Sequence, residues 1–373
     1  MRQMEMMGII FSNIYDEHLG EVTKERTLAS LPYGGRYRLI DFVLSNMVNS
    51  GITNVGVITK SNYQSLMDHL GKGKEWDLDR KIDGLFILPP FGTGQKTVYK
   101  DKIEALWGTK RFLERSDEEY IVMSDSNIIC SIDYSEALQQ HIATGADITA
   151  IAHKEEIHDK SDIKGVVFKT NTRRRVADVL VNYNQAGIEL CGLGMYIMKR
   201  ELLLALLEEA NSYNLLDFDR DIIQAKHKTL KIMCWEHKGV TLRIDSTQRY
   251  FEANMALLDK TVRDAIFQEN GYVYTKVRDE VPTYYGPGGV VKNCLIADGC
   301  RIEGTAENCI LFRGVTIAAG AVVKNSILMQ DTHVGKDVEL EYIIADKEVE
   351  ITEGRMMMGA PRHQMIIGKG KVV

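Results

Sequence analysis

The chain has 373 residues, 45% of them apolar and 26% charged, and a formal net charge of −6. That length supports two cores rather than one, in the composition of an ordinary globular protein. Mild acidity without a basic block excludes nucleic acid and an acidic membrane as main partners, and the lack of a long apolar run excludes a spanning helix.

The N-terminus lacks the charged-then-apolar-then-small order of a secretion signal, so the expected compartment is the cytoplasm. Cys130, Cys191, Cys234, Cys294, Cys300 and Cys309 form no Cys-x-x-Cys pair. They read as small buried hydrophobes in a reducing compartment, not as a zinc or redox site.

Apolar runs at 6–11, 54–59, 120–124 and 147–152 predict buried strands. Spacing near 3.6 predicts helices over 42–50, 102–115 and 134–144, with more at 200–210, 218–226 and 248–258. The alternation predicts an α/β domain over 1–259 with a doubly wound, mostly parallel sheet covered on both faces. Ligands of such sheets bind beyond the carboxyl ends of the strands, where the strand order reverses. Pro282 and Gly286-Pro287-Gly288-Gly289 predict a linker over 260–289.

Beyond it Asn293-Cys294-Leu295-Ile296, Asn308-Cys309-Ile310-Leu311, Asn325-Ser326-Ile327-Leu328 and Glu341-Tyr342-Ile343-Ile344 recur every 15 to 17 residues. Ile296, Gly299 and Ile302, like Ile317, Gly320 and Val323, mark a six-residue step between the same kinds of side chain. This predicts a left-handed parallel β-helix over 290–373, with about four triangular coils and one aliphatic residue per side pointing inward. A stack so short needs another domain or subunit to cap it.

Pro32-Tyr33-Gly34-Gly35-Arg36-Tyr37-Arg38-Leu39-Ile40-Asp41-Phe42, Asn46 to Asn49-Ser50-Gly51-Ile52, Trp76-Asp77-Leu78-Asp79-Arg80, Asp217-Phe218-Asp219-Arg220-Asp221 and Glu252-Ala253-Asn254 carry a resemblance. In this domain order they resemble the ADP-glucose pyrophosphorylase (glucose-1-phosphate adenylyltransferase) family over most of the chain. The chemistry of that reaction gathers about seven negative charges in one site, to be offset by loop amides, cationic side chains and Mg²⁺ on carboxylates. Carried over residue by residue, the family's loop glycines fall at Asn13, Ile14 and Asp16. The loop arginine falls at His18 and the following lysine at Leu28, and a Gly-Thr pair becomes Asp101-Lys102. The first metal aspartate is retained as Asp125, and the sugar-phosphate lysine falls at Asn182. The second metal aspartate falls at Arg243 without a gap, or at Asp245 with a two-residue gap.

Asp16 and Glu17 therefore put negative charge where the triphosphate of a relative would lie. The degraded loop resembles the D-type (GlgD) subunits of Gram-positive bacteria. The resemblance implies a regulatory subunit that pairs with a catalytic subunit of ADP-glucose pyrophosphorylase, or self-associates, in glycogen synthesis. It implies Mg²⁺ only if the chain is catalytic, and ATP or a sugar phosphate as candidate ligand. The alternative is an active nucleotidyltransferase with a rewired loop, in which Asp125 and Asp245 bind metal and Lys24 or Arg26 supplies charge. A metabolite sensor acting alone is a third reading.

Asp125 reads equally as the N-cap of a turn. Arg36 and Arg38, with Lys60, read as an anion or effector site, or as a solvated loop with Arg38 paired to Asp41. Arg173-Arg174-Arg175 reads as a hairpin tip, and Met356-Met357-Met358 as an apolar cap on the last coil. His333 would be the base if the β-helix were an acyltransferase.

Overall fold

The computed structural model describes residues 6–13, 16–90, 99–157, 165–183 and 185–373. In chain order the first domain carries β1 (Met6–Phe11), a hairpin of β2 (Pro32–Tyr33) and β3 (Tyr37–Arg38), β4 (Asn54–Ile58), β5 (Gly84–Leu88), β6 (Tyr120–Asp125) and β7 (Ile128–Cys130). There follow β8 (Ile148–Ile157), β9 (Val166–Thr170), β10 (Val176–Val181), β11 (Gly187–Lys199), β12 (Ile232–His237) and β13 (Thr241–Arg243). Its helices are α1 (Leu39–Asn49), α2 (Gln64–Leu70), α3 (Lys102–Gly108), α4 (Lys110–Arg115), α5 (Tyr134–Thr144), α6 (Arg200–Tyr213), α7 (Thr247–Ala256) and α8 (Lys260–Gln268).

The main sheet runs β10-β9-β11-β6-β1-β4-β5, with β8 on β11 and β12 on β8. β6, β1, β4 and β5 are parallel, and β11 enters antiparallel to β6. β1 and β4 are buried throughout and β6 at all but Tyr120, as expected of strands covered on both faces. The order reverses at β1, so the carboxyl ends of β1, β4 and β6 open onto a common crevice.

The helix expected over 102–115 breaks at Thr109, whose hydroxyl bonds back to the Leu106 carbonyl at 2.9 Å. The segment at 218–226 forms a π-helix, Phe218–Gln224, capped by Asp217 at the Arg220 amide. Residues 260–289 are not one irregular linker. They open with α8 and end inside the β-helix, whose first strand is Tyr284–Tyr285.

The left-handed β-helix has three parallel faces of five strands each. The coil that the sequence reading omitted is the last, formed by Glu350–Ile351, Met356–Met358 and Met365–Ile367, because its methionines read as a cap. The first coil begins earlier than expected, inside the glycine-rich stretch, where Gly286 donates to the Ile302 carbonyl at 2.8 Å. Gly299, Gly314, Gly320 and Gly354 turn corners at positive φ, and at the corner before the third face asparagine does so instead. Asn293, Asn308 and Asn325 take positive φ of 51°, 53° and 45°, and their amides ladder from coil to coil at 2.8 and 3.2 Å. Asn325 then donates to Glu341. Met356–Met358 is a strand of the last coil, not a lid on it, and Met356 and Met358 stay exposed. Arg174 turns the expected hairpin tip at φ 62° and pairs with Glu236.

One face of the β-helix is shared with the first domain. Ile310, Ile327 and Ile344 point outward into a core with Leu19, Leu28, Leu31, Phe42, Tyr250 and Leu257. Their neighbours Leu311, Leu328 and Ala345 point inward with Ile302, Ile317 and Val334. This alternation follows the strand period of two. Beside the shared core Arg26 makes a fork of two bonds, at 2.8 and 2.9 Å, to the Asp346 carboxylate, both side chains almost fully buried. Among the described residues no helix is long and apolar enough to cross a membrane.

Removing one member of a buried pair leaves the other charge uncompensated, at a cost of about 3–5 kcal/mol. Asp346→Ala should therefore lower the midpoint of urea unfolding and release the contact between the two domains first. An unchanged midpoint would show that the pair adds nothing to the junction.

Candidate active site and the basic pocket beside it

The crevice beyond β1, β4 and β6 holds a cleft of about 340 Å³. Asp16, Glu17 and His18 form one rim. Lys60, Lys100, Asp101, Lys102, Asp217 and Asp219 line the rest. Five carboxylates thus face three lysines, a poor balance for holding a polyanion.

The loop after β1 is tied to itself. The Asp16 carboxylate accepts the Leu28 amide at 2.7 Å and a bond from the Asn13 side chain. Asn13 in turn accepts the Lys60 amide at 2.9 Å, and the Thr23 hydroxyl donates to the Asp16 carbonyl at 2.6 Å. A backbone donor that a phosphate-gripping loop would offer outward is spent on an internal carboxylate. Burial raises the Asp16 pKa to about 6, the Leu28 amide opposing. Leu28 is a buried member of the interdomain core, and His18 sits exposed on the rim. Ile14 lies outside the described residues.

Asp125 ends β6, nearly inaccessible to water. Lys102, the first residue of α3, places its ammonium 2.9 Å from Asp125 Oδ2 and 3.8 Å from Asp219 Oδ2. Asp219 also accepts the Tyr196 hydroxyl at 2.6 Å. The carboxylate of Asp125 lies under Gly194, in the β11 bulge, where a Cβ would collide with it. Burial raises the Asp125 pKa to about 6, against the pull of Lys102.

Arg243 ends β13 and forks onto Glu155 Oε1 at 2.8 Å and the Gly192 carbonyl at 3.0 Å. Asp245 turns to Arg249 at 3.4 Å. Asn182 sits exposed in the turn after β10, at φ 57°. The two alternatives for the second metal carboxylate are thus a guanidinium already in an ion pair and an aspartate engaged with Arg249.

Residues 8–259 match the nucleotidyl transferase family model, and residues 281–364 match a GlmU-like C-terminal hexapeptide model. The chain belongs to the nucleotidyl transferase family. Its relatives include the glycogen biosynthesis protein GlgD of Bacillus subtilis (strain 168), 34% identical over 99% of this chain and 97% of that protein. The GlgD of Geobacillus stearothermophilus is 37% identical over 86% of this chain and 83% of its own. A glucose-1-phosphate adenylyltransferase of Fervidobacterium nodosum is 33% identical over 94% and 84%.

In this member of the nucleotidyl transferase family the carboxylates of the cleft do not suit a divalent metal as they stand. Among the described residues no group of three or more His, Cys, Asp or Glu side chains could hold one. Asp125 already faces an ammonium, and the nearby Arg243 adds further positive potential.

Several motif residues serve the fold. Asp41 accepts the Arg38 amide at 2.9 Å and pairs with His69 at 2.5 Å. Trp76 is buried beside that His69. Asn254 accepts the Gly34 amide at 3.0 Å, fixing the β2–β3 hairpin to α7.

Arg36 and Arg38 line a small pocket at the domain junction with Lys276, Arg278, Arg313 and Lys347. Lys60 does not join them. It lines the cleft and lies 5.9 Å above the Tyr99 ring. The Arg38 guanidinium bonds Ser65 rather than Asp41, at 2.6 and 3.0 Å. Arg313 is 7% exposed, and its Nε and Nη2 find no partner among the described residues. Burial lowers its pKa, helped by Arg36 and Arg278. Burial, then Arg38 and Arg26, lowers Lys347 to about 7. Sequence reasoning missed Lys276, Arg278, Arg313 and Lys347, because each stands alone in its stretch of chain. It noted Lys102 as a replaced residue without seeing its partner.

Asp16 binds its proton more tightly in the folded chain than in the unfolded one, where an aspartate titrates near about 4. Between those values the native state holds the extra proton, so stability falls as pH rises through the window and levels off above it. The loss of unfolding free energy from about pH 4 to pH 7.5 should be smaller in Asp16→Asn by about 1–2 kcal/mol, allowing for solvent at a part-buried group. Urea titrations at the two pH values measure this, and equal losses would exclude a perturbed Asp16.

Proposed function

We propose that this chain is a non-catalytic or weakly catalytic regulatory subunit of a cytoplasmic glucose-1-phosphate adenylyltransferase, acting in glycogen biosynthesis. The observation that carries the reading is the occupied state of the cleft. Asp16 takes a loop donor, and Lys102 takes the carboxylate on which a metal-dependent transfer would depend. Each charged hydrogen bond missing from a transfer site is worth about 1.5–3 kcal/mol. One preorganised donor is worth about 10²–10³ in rate. The kinship with GlgD and adenylyltransferase proteins supports the pathway.

The partner in this reading is a catalytic subunit of the same architecture, in a mixed tetramer. The chain would act by stabilising the partner's closed, loop-ordered state through their shared interface. The pocket of Arg36, Arg38, Arg278, Arg313 and Lys347 would take the anionic metabolite that sets the response. Lys347 adjoins Asp346, and Asp346 holds Arg26, two residues before Leu28. A charge entering the pocket would thus reach the cleft loop through bonded neighbours.

The test is to assay the pure chain, a catalytic subunit and the co-expressed pair with ATP, Mg²⁺ and glucose 1-phosphate. The pair should be faster than the catalytic subunit, and the pure chain close to inactive. A pair no faster than the catalytic subunit alone refutes the regulatory role. Brisk synthesis by the pure chain would instead favour a rewired active enzyme. In the pair, Arg313→Ala should raise the half-effective concentration of a sugar bisphosphate or phosphate effector about tenfold, the loss expected for one charged hydrogen bond. An unaltered response would place the effector elsewhere.

A further inference from the structure

The ammonium of Lys102 sits where a cation bound to Asp125 would have to sit. It approaches Oδ2 at 2.9 Å and reaches Asp219 on the other side at 3.8 Å. A divalent ion on the same carboxylate would lie about 2.0–2.6 Å from the oxygen. The two positions overlap, and like charges at that separation repel strongly in a site largely closed to water. Lys102 is not free to swing aside. Its side chain is only 10% exposed and its ammonium rests 5.6 Å from the Phe11 ring centroid. Oδ1 of Asp125 is buried and finds no hydrogen-bond partner among the described residues.

From this geometry we infer that Lys102 is the resident cation of the cleft, standing in place of a divalent metal ion. The chain as it exists takes no divalent ion at Asp125. Removing the lysine uncovers a cation site between Asp125 and Asp219. Such a site keeps two carboxylates that shared one ammonium, with the Tyr196 hydroxyl fixing the second. Its ligands are all oxygen, which suits Mg²⁺ or Mn²⁺ rather than zinc. The inference concerns occupancy of the cleft and stands whether or not the chain activates a partner.

Mn²⁺ alone is the probe, read by electron paramagnetic resonance on the full-length chain. The native chain and Asp125→Asn should show the same weak background binding. Lys102→Ala should bind Mn²⁺ on the order of tenfold more tightly than the native chain, and the added Asp125→Asn change should abolish the gain. Lys102→Met, closer in volume, repeats the test where the alanine variant folds poorly. Thermal midpoints with and without Mg²⁺ give a second readout, since a ligand bound only by the folded state raises the midpoint. Native binding that Asp125→Asn removes would overturn the inference. So would folded lysine-free variants that bind no better than the native chain.

Discussion

A buried ammonium and a buried carboxylate hold each other at the carboxyl end of the central strands. Neither Lys102 nor Asp125 could remain charged there alone, because the transfer of a lone ion from water costs several kcal/mol. Their pairing fixes the start of α3 against the end of β6 and, through Asp219, against the π-helix at Phe218–Gln224. Three elements that border the crevice are thereby joined by one side chain. Asp16 does the equivalent on the opposite rim, closing the loop after β1 onto the Leu28 amide. The cleft satisfies its own charges and donors, so a polyanion entering it would have to displace bonds already made.

The second constraint is the lateral face of the β-helix. Five short coils cannot bury both sides of their aliphatic faces. Ile310, Ile327 and Ile344 are covered only because the β2–β3 hairpin, α1 and α7 lie over them. The hairpin depends on Asn254 and on Tyr250, whose hydroxyl donates to the Pro32 carbonyl at 2.7 Å. The Arg26–Asp346 fork closes the same seam. The basic pocket exists because this seam collects charges from three separate stretches: the hairpin, the segment after α8, and two coils of the β-helix.

The periodic parts of this fold were legible. Strand cores such as Met6–Phe11 carry uninterrupted apolar runs, and a hexapeptide step shows in any stack whose interior is aliphatic. The start of the first coil was not legible, since Gly286 and Gly289 make a corner in the vocabulary of a linker, and the last coil was not, since Met356-Met357-Met358 reads as an apolar cap. The split of the helix at Thr109 depends on a hydroxyl returning to the backbone, which spacing does not encode. In the cleft, the acid at Asp16 and the bulk at Leu28 could be read as departures from a family pattern. What they do instead could not be read, because the Asp16–Leu28 bond spans twelve residues and Lys102–Asp125 spans twenty-three. Lys60 was placed with Arg36 and Arg38 by charge alone, yet the end of β4 carries it into the cleft toward Tyr99.

The residues that carry the family resemblance divide by the work they do. Asp41, Asn46, Trp76 and Asn254 are buried and bonded or packed within the first domain, and losing any would open the core or free a hairpin. The positions that would face a nucleotide hold Asp16, His18, Leu28, Lys102 and Arg243, each given to a contact or a surface of this chain's own. A chain selected only to fold would have no reason to keep a cleft of this size at the strand ends. In the non-catalytic reading proposed above, Lys102 neutralises the buried Asp125 at the place where transfer chemistry would need that carboxylate free. Under the regulatory reading proposed above, the shape of this domain is what a partner surface would read, and the charges inside hold that shape through bonds within the chain.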